Sequence, residues 1–180
     1  MYKGIIVLAD GFETVEALAT HDILLRSKKI ESELVGLNKL EIVSSNNTIV
    51  KVKKTLNQIN EEDYDFICLP GGKIGVDNLS KSEELKDLLF KFYKHDKLIS
   101  AICAAPSILG NYGFLDNKHY TCFPGFQKGK GIYENVGSVV DNKIITGHSM
   151  YYSIEFAERI VYFFLKEEGI KTIYPGTRGI

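Results

Sequence analysis

Short apolar runs alternate with helix-period stretches along this chain, and that alternation restricts the fold more than any other feature of the sequence. Lys3 to Leu8 is aliphatic and β-branched, and from about Thr14 to Arg26 the residues Val15, Leu18, Ala19, Ile23 and Leu24 recur at helical spacing. Ile30 to Leu37 returns as a strand. The turn-rich stretch Ser44 to Asn47 parts Leu40–Val43 from Thr48–Val52, the pattern of a hairpin or edge excursion. Phe66 to Leu69 and Leu98 to Ile102 are continuous apolar runs, as strands buried on both faces of a parallel sheet are. Between them Ser80 and Glu83 have the spacing of a capping box, which predicts a helix from near Lys81 to about Lys94. Further along, a helical stretch begins at Ser107, short strands are expected near Tyr120–Cys122 and Ser138–Val140, and Asp141–Asn142 turns the chain into Lys143–Thr146. A last amphipathic helix is expected from Ser153 to about Glu168. Strands and helices in this order imply an α/β fold: a three-layer sandwich with a mostly parallel sheet and helices on both faces.

The 180 residues fit one domain, 1–180, and a chain of this length buries about 70% of its unfolded surface, so its folding requires neither disulfides nor a structural metal. Basic and acidic residues balance at 22 against 23, which removes the electrostatic case for nucleic acid or an anionic membrane as partner. Only Arg26, Arg159 and Arg178 are arginine, too few to build a bidentate phosphate clamp readily. The apolar run Ile5–Ala9 ends at Asp10, short of a signal-peptide core or a membrane span. Three cysteines without paired spacing fit free thiols in a reducing compartment, so a cytoplasmic protein is expected.

In open α/β sheets, ligands bind beyond the carboxyl ends of strands, and three such ends stand out: Ala9–Glu16, Pro70–Gly75 and Cys103–Pro106. Cys103 lies between a buried strand and a helix, with alanines after it and no polar spacer, the pattern of a nucleophile elbow. A helix amino terminus behind it would favour the thiolate. The same surroundings also suit a small core residue, free cysteine being among the most buried types. Gly71 and Gly72 either offer amides to an oxyanion or form an ordinary tight turn. With Gly75 they lack the spacing of a dinucleotide fingerprint, and no cofactor is expected. Cys68 falls inside an apolar run and is assigned to the core. Cys122 is placed at a strand end, where pairing with an oxidised Cys103 depends on geometry. His21, His95 and His119 stand in helix or polar-loop contexts and are read as structural, and no two histidines have metal-ligand spacing, so no metal is expected. The tail Tyr174–Ile180 shows no apolar period and is assigned no role.

Ala9-Asp10-Gly11-Phe12-Glu13-Thr14-Val15-Glu16, Leu69-Pro70-Gly71-Gly72 and Ala101-Ile102-Cys103-Ala104-Ala105-Pro106 together resemble the ThiJ/PfpI superfamily, in the branch of the parkinsonism-associated deglycase and its bacterial relatives. The likeness runs in order from Ile5 through the final helix. It implies a flavodoxin-like, class I glutamine-amidotransferase-like sheet and a homodimer. Cys103 matches the nucleophilic, oxidation-prone cysteine, Glu16 the acid that contacts it, and the amides of Gly72 and Ala104 the oxyanion donors, with Gly71 beside them. A carboxylic acid kept protonated by burial would donate to the thiolate and lower the thiol pKa. Glu13, one turn from Glu16, is the rival on spacing, and either acid also suits a solvent-facing helix start. Asp22 and Arg26 match as well, and the resemblance puts that arginine near the dimer interface, facing a substrate anion across it.

Two departures from the family pattern bear on chemistry. Many relatives carry a histidine beside the cysteine where this chain has Phe123, which weakens a conventional Cys/His hydrolase. Where relatives have a serine, an arginine and a Gly-Pro-Gly turn, this chain reads Gly147-His148-Ser149-Met150-Tyr151-Tyr152, so the pocket wall is rebuilt. His148 on that loop is a candidate to supply the missing acid/base group, or else a surface loop residue. The resemblance therefore implies a cofactor-independent cysteine enzyme acting on a small carbonyl substrate, glyoxalase-like or deglycase-like. The alternatives are a redox-responsive stress or chaperone-like protein with Cys103 oxidised to sulfinate, and an amidase or peptidase-like hydrolase.

Overall fold

In the computed structural model, which describes residues 1–180, the chain begins β1 (Tyr2–Leu8), α1 (Thr14–Arg26), β2 (Ile30–Gly36), β3 (Glu41–Val43), β4 (Ile49–Lys51) and β5 (Lys54–Thr55). It continues β6 (Phe66–Leu69), α2 (Lys73–Ser80), α3 (Glu83–Lys94), β7 (Leu98–Ile102) and α4 (Pro106–Asn111). The last third holds β8 (His119–Tyr120), β9 (Ile132–Tyr133), β10 (Ser138–Asp141), β11 (Ile144–Gly147) and α5 (Ser153–Thr177). Seven strands make the central sheet in the order β10-β11-β7-β6-β1-β2-β5. Every neighbouring pair is parallel except β10 with β11, which close a hairpin through Asn142 at φ 52°. The α/β class and the mostly parallel sheet are as the alternation implied.

Strand alternation divides the core into two layers. Ile5, Val7, Ile67, Leu69, Ile99 and Ala101 pack with α2, α3 and α4 on one face. Ile6, Leu8, Phe66, Cys68, Leu98 and Ile102 pack with α1 and α5 on the other. The central strands β1, β6 and β7 end side by side, so the loops after them converge at one sheet edge. The β3–β4 hairpin is tied to the first of these loops: Gly11 N–H donates to Val43 O at 2.7 Å, and Val43 N–H donates to Asp10 Oδ1 at 2.9 Å.

The structure corrects the reading of the sequence in three places. Ser80 is not the cap of a capping box. Its hydroxyl donates to Asp77 O at 3.0 Å and closes α2, a helix the sequence did not reveal, while Ser82 caps α3 by accepting from Leu85 N–H at 3.1 Å. Helix α2 is short and buries only Val76 and Leu79 as large apolar residues, too few for a readable period. Helix α5 runs to Thr177 rather than Glu168, its path broken where Lys166 adopts φ 54°. The tail given no role is partly helical, and its Gly176 carbonyl accepts from Arg26 Nη1 at 3.1 Å. Two of the histidines read as structural are held by acids: His95 Nδ1 lies 3.0 Å from the buried carboxylate of Glu61, and His119 pairs with Glu134. No helix is long and apolar enough to cross a membrane.

Candidate active site

Cys103 follows β7 directly and adopts φ 64°, a left-handed conformation that side chains rarely take. Two backbone hydrogen bonds hold it there. Its N–H donates to Gly147 O at the end of β11 (2.9 Å), and its carbonyl accepts from Phe123 N–H (2.8 Å). Ala104 and Ala105 are buried behind it, and Pro106 starts α4, so the small residues of the junction serve the turn expected of a nucleophile elbow. The cysteine itself is half-buried and free, not sealed in the core. Helix α4 spans only Pro106–Asn111. The sulfur is therefore favoured by two individual amides, Ala104 N–H and Gly72 N–H, more than by a long helix dipole.

The first loop settles the choice between the two acids. Glu13 is the N-cap of α1 and its carboxylate accepts from Glu16 N–H at 2.8 Å. Glu16, in the first turn, points inward and is 1% exposed. Its Oε2 accepts from Gly71 N–H at 2.7 Å, while Oε1 has no hydrogen-bond partner among nitrogen and oxygen atoms. A Cβ at Gly71 would stand 2.7 Å from both Cys103 Cβ and Glu16 Oε2, so only glycine lets acid and cysteine converge. Gly72, at φ 88°, turns against Gly11 O and Glu13 N. Glu13 N–H donates to Gly71 O at 3.0 Å, which locks the first and second loops together.

Burial, opposed by the Gly71 amide and the contact with Cys103, raises the Glu16 carboxyl pKa to about 7. The Cys103 thiol is also pushed up, first by burial and then by the Glu16 charge, with the Ala104 and Gly72 amides pulling the other way. The lowering expected of a protonated Glu16 does not extend to the ionised acid, whose charge raises the thiol. The ionised carboxylate holds the thiol proton on, and only the protonated acid can donate to a thiolate. Ionisation of one group therefore opposes ionisation of the other. With Oε2 already accepting from Gly71, a proton on the acid belongs on Oε1.

The remaining candidates fall on both sides of the outcome. Phe123 is brought to the site through its amide, and its ring is 44% exposed. The His148 ring stands 6.5 Å from that of Phe123 and 5.7 Å from Tyr152, centroid to centroid. Both of its nitrogens are buried without a hydrogen-bond partner, and neither bonds Cys103 or Glu16. Arg26 lies at the opposite end of α1 from Glu16, bound to Asp22 at 2.6 Å and to the Gly176 carbonyl, and takes no part in its own chain's site. Cys122 is buried in the layer opposite the one that Cys103 packs against, and all three cysteines are free. The sequence reading missed Asp10 as the hairpin anchor, while Tyr152 stands in the loop read as the rebuilt wall. Asp10 stood in a quoted motif, but its partner at Val43 is 33 positions away.

The sequence model of the DJ-1/PfpI family matches residues 3–162. This chain belongs to the DJ-1/PfpI family. Among its relatives, protein DJ-1 homolog B of Arabidopsis thaliana is 32% identical over 171 residues, covering 93% of this chain and 39% of the plant protein. Protein dj-1beta of Drosophila melanogaster is 28% identical over 179 residues, 97% of this chain and 95% of the fly protein. The crystal structure of that fly DJ-1beta superposes with a TM-score of 0.90 at 26% identity, covering 97% and 96% of the two chains. The structure of Toxoplasma gondii DJ-1, described as oxidised, gives 0.87 at 28% identity over 98% and 97%. The flavodoxin-like DJ-1 fold is thus shared along nearly the whole chain.

The raised Glu16 pKa sets the sign of a stability measurement. Between 4.5, the ordinary carboxyl value, and about 7, the folded protein holds a proton that the unfolded chain has released. That contribution is full below 4.5 and is lost as pH rises through about 7. Glu16→Gln removes it. Urea denaturation of both proteins should show the variant gaining on the wild type by about 3 kcal/mol on going from acid to slightly alkaline pH. A pH-independent difference would contradict the assignment.

Proposed function

We propose that the protein is a cofactor-independent, Cys103-dependent enzyme acting on small reactive carbonyls, of the glyoxalase or deglycase kind. The observation that carries this reading is the convergence on one half-buried sulfur of two backbone amides and a buried acid with an unpartnered oxygen. Transfer of the shared proton from Cys103 to Glu16 leaves a thiolate. The thiolate attacks the aldehyde carbon of a 2-oxoaldehyde, the S–C bond forms as the C=O π bond opens, and the oxyanion is met by Gly72 and Ala104 N–H. Glu16 supplies the proton that completes the hemithioacetal. The carboxylate then removes the former aldehyde hydrogen as a proton and delivers one to the neighbouring carbon, while the hydroxyl proton passes to the neighbouring ketone oxygen and the sulfur-bearing carbon becomes the thioester C=O. Water cleaves the resulting thioester to a 2-hydroxy acid and restores Cys103. Methylglyoxal plus water thus becomes lactate with no outside oxidant. Arg26 enters this reading only through a second copy of the chain, in a homodimer.

A redox role is supported by the oxidised Toxoplasma relative. Two peroxide molecules would oxidise the thiol to a sulfinic acid and leave as water, with Glu16 and the same amides as partners for its oxygens. The hydrolase alternative draws no support, since no imidazole bonds the sulfur.

Methylglyoxal consumption without glutathione tests the first reading. Lactate should form, and Cys103→Ser and Glu16→Ala should each lower kcat/KM by at least about 100-fold. A wild type that consumes neither glyoxal nor methylglyoxal, or that only matches Cys103→Ser, refutes it. For the redox role, mild peroxide should add two oxygens at Cys103 before Cys68 or Cys122 changes mass. Oxidation elsewhere first would count against that role.

A further inference from the structure

Two loops are tied to the backbone of Cys103. The one beginning at Gly147 accepts from its N–H, and the one at Phe123 donates to its carbonyl. Neither Thr121–Phe126 nor Gly147–Tyr152 carries an Asp, Glu, Lys or Arg. Aromatic rings line them instead. From Phe126 to Phe123, His148, Tyr152 and Tyr151 the successive centroids are 6.3, 6.5, 5.7 and 5.1 Å apart, a continuous series within ring-contact range. His148, the one imidazole of that wall, has both ring nitrogens shielded from solvent. Phe123, whose amide bonds the Cys103 carbonyl, is 44% exposed.

We propose that this wall receives the non-reacting end of the substrate and that this end is an uncharged aromatic ring, which makes the preferred substrates aryl 2-oxoaldehydes. The inference rests on the carbonyl-enzyme reading above. A charged tail would lose water at this wall and find no counter-charge on either loop. A methyl group would leave Phe123 largely uncovered, whereas a flat ring stacks on it and buries the facing side of each ring. Phe123 acts here as a specificity residue and takes no part in proton transfer.

The test compares kcat/KM for phenylglyoxal and methylglyoxal in the wild type, Phe123→Ala and Phe123→Tyr, with Cys103→Ser subtracted as background. The wild type should favour phenylglyoxal by at least about tenfold, the ratio should collapse toward one in Phe123→Ala, and Phe123→Tyr should keep it. Equal efficiencies in the wild type, or an unchanged ratio in Phe123→Ala, overturn the inference and leave the carbonyl reading standing. Turnover of neither aldehyde overturns both. A turnover-free readout separates ring binding from chemistry: acetophenone should slow iodoacetamide labelling of Cys103 in the wild type and not in Phe123→Ala, with acetone ineffective in both. Equal effects of the two ketones count against the aromatic wall.

Discussion

The missing side chain of Gly71 is the constraint on which the site is built. The volume a Cβ would need there is bounded by Cys103 Cβ and Glu16 Oε2, each 2.7 Å away. Because that space is free, the loops after β1, β6 and β7 close on one another, and the Glu16 carboxyl is sealed from water against a thiol and an amide. Sealing is what changes its chemistry. An acid at the same helix position facing solvent would be ionised at neutral pH and would only repel a thiolate.

The site thereby assembles its electrostatics without a single formal positive charge. Backbone amides of Gly71, Gly72 and Ala104 face the acid and the thiol, and in the proposed reaction one proton moves between those two groups. Such an arrangement carries a stability penalty. The left-handed Cys103 opposes folding by about 1–3 kcal/mol, and the buried acid opposes it once ionised. The backbone bonds to Gly147 and Phe123 and the fully buried strands beneath them hold the arrangement in place. Strained backbone and buried acid coincide at one sheet edge, which is where ligands bind in folds of this architecture.

The central strands could be read from their sequence because burial on both faces leaves unbroken apolar runs, as in Phe66–Leu69 and Leu98–Ile102. Helix α1 was legible through its period, and the elbow through the lack of any spacer before Cys103. Other features depend on distances in space that no local pattern encodes. Glu13 and Glu16 look alike in sequence, and only the capping bond to Glu16 N–H and the contact with Gly71 tell them apart. Ser80 and Ser82 compete as caps within three residues of Glu83, and the short helix before them has too few buried positions to show itself. The fate of His148 was decided by neighbouring rings that shield its nitrogens, which spacing alone does not reveal.

The shared proton is the central claim, and the pH profile of Cys103 alkylation by iodoacetamide, read by mass at that residue, tests it most directly. In the wild type the rate should rise in two stages, the first near pH 7 as the pair gives up its first proton, the second in strong alkali. In Glu16→Ala the step near neutrality should vanish and leave a single rise at higher pH. Identical profiles in the two proteins would show that acid and thiol do not share a proton.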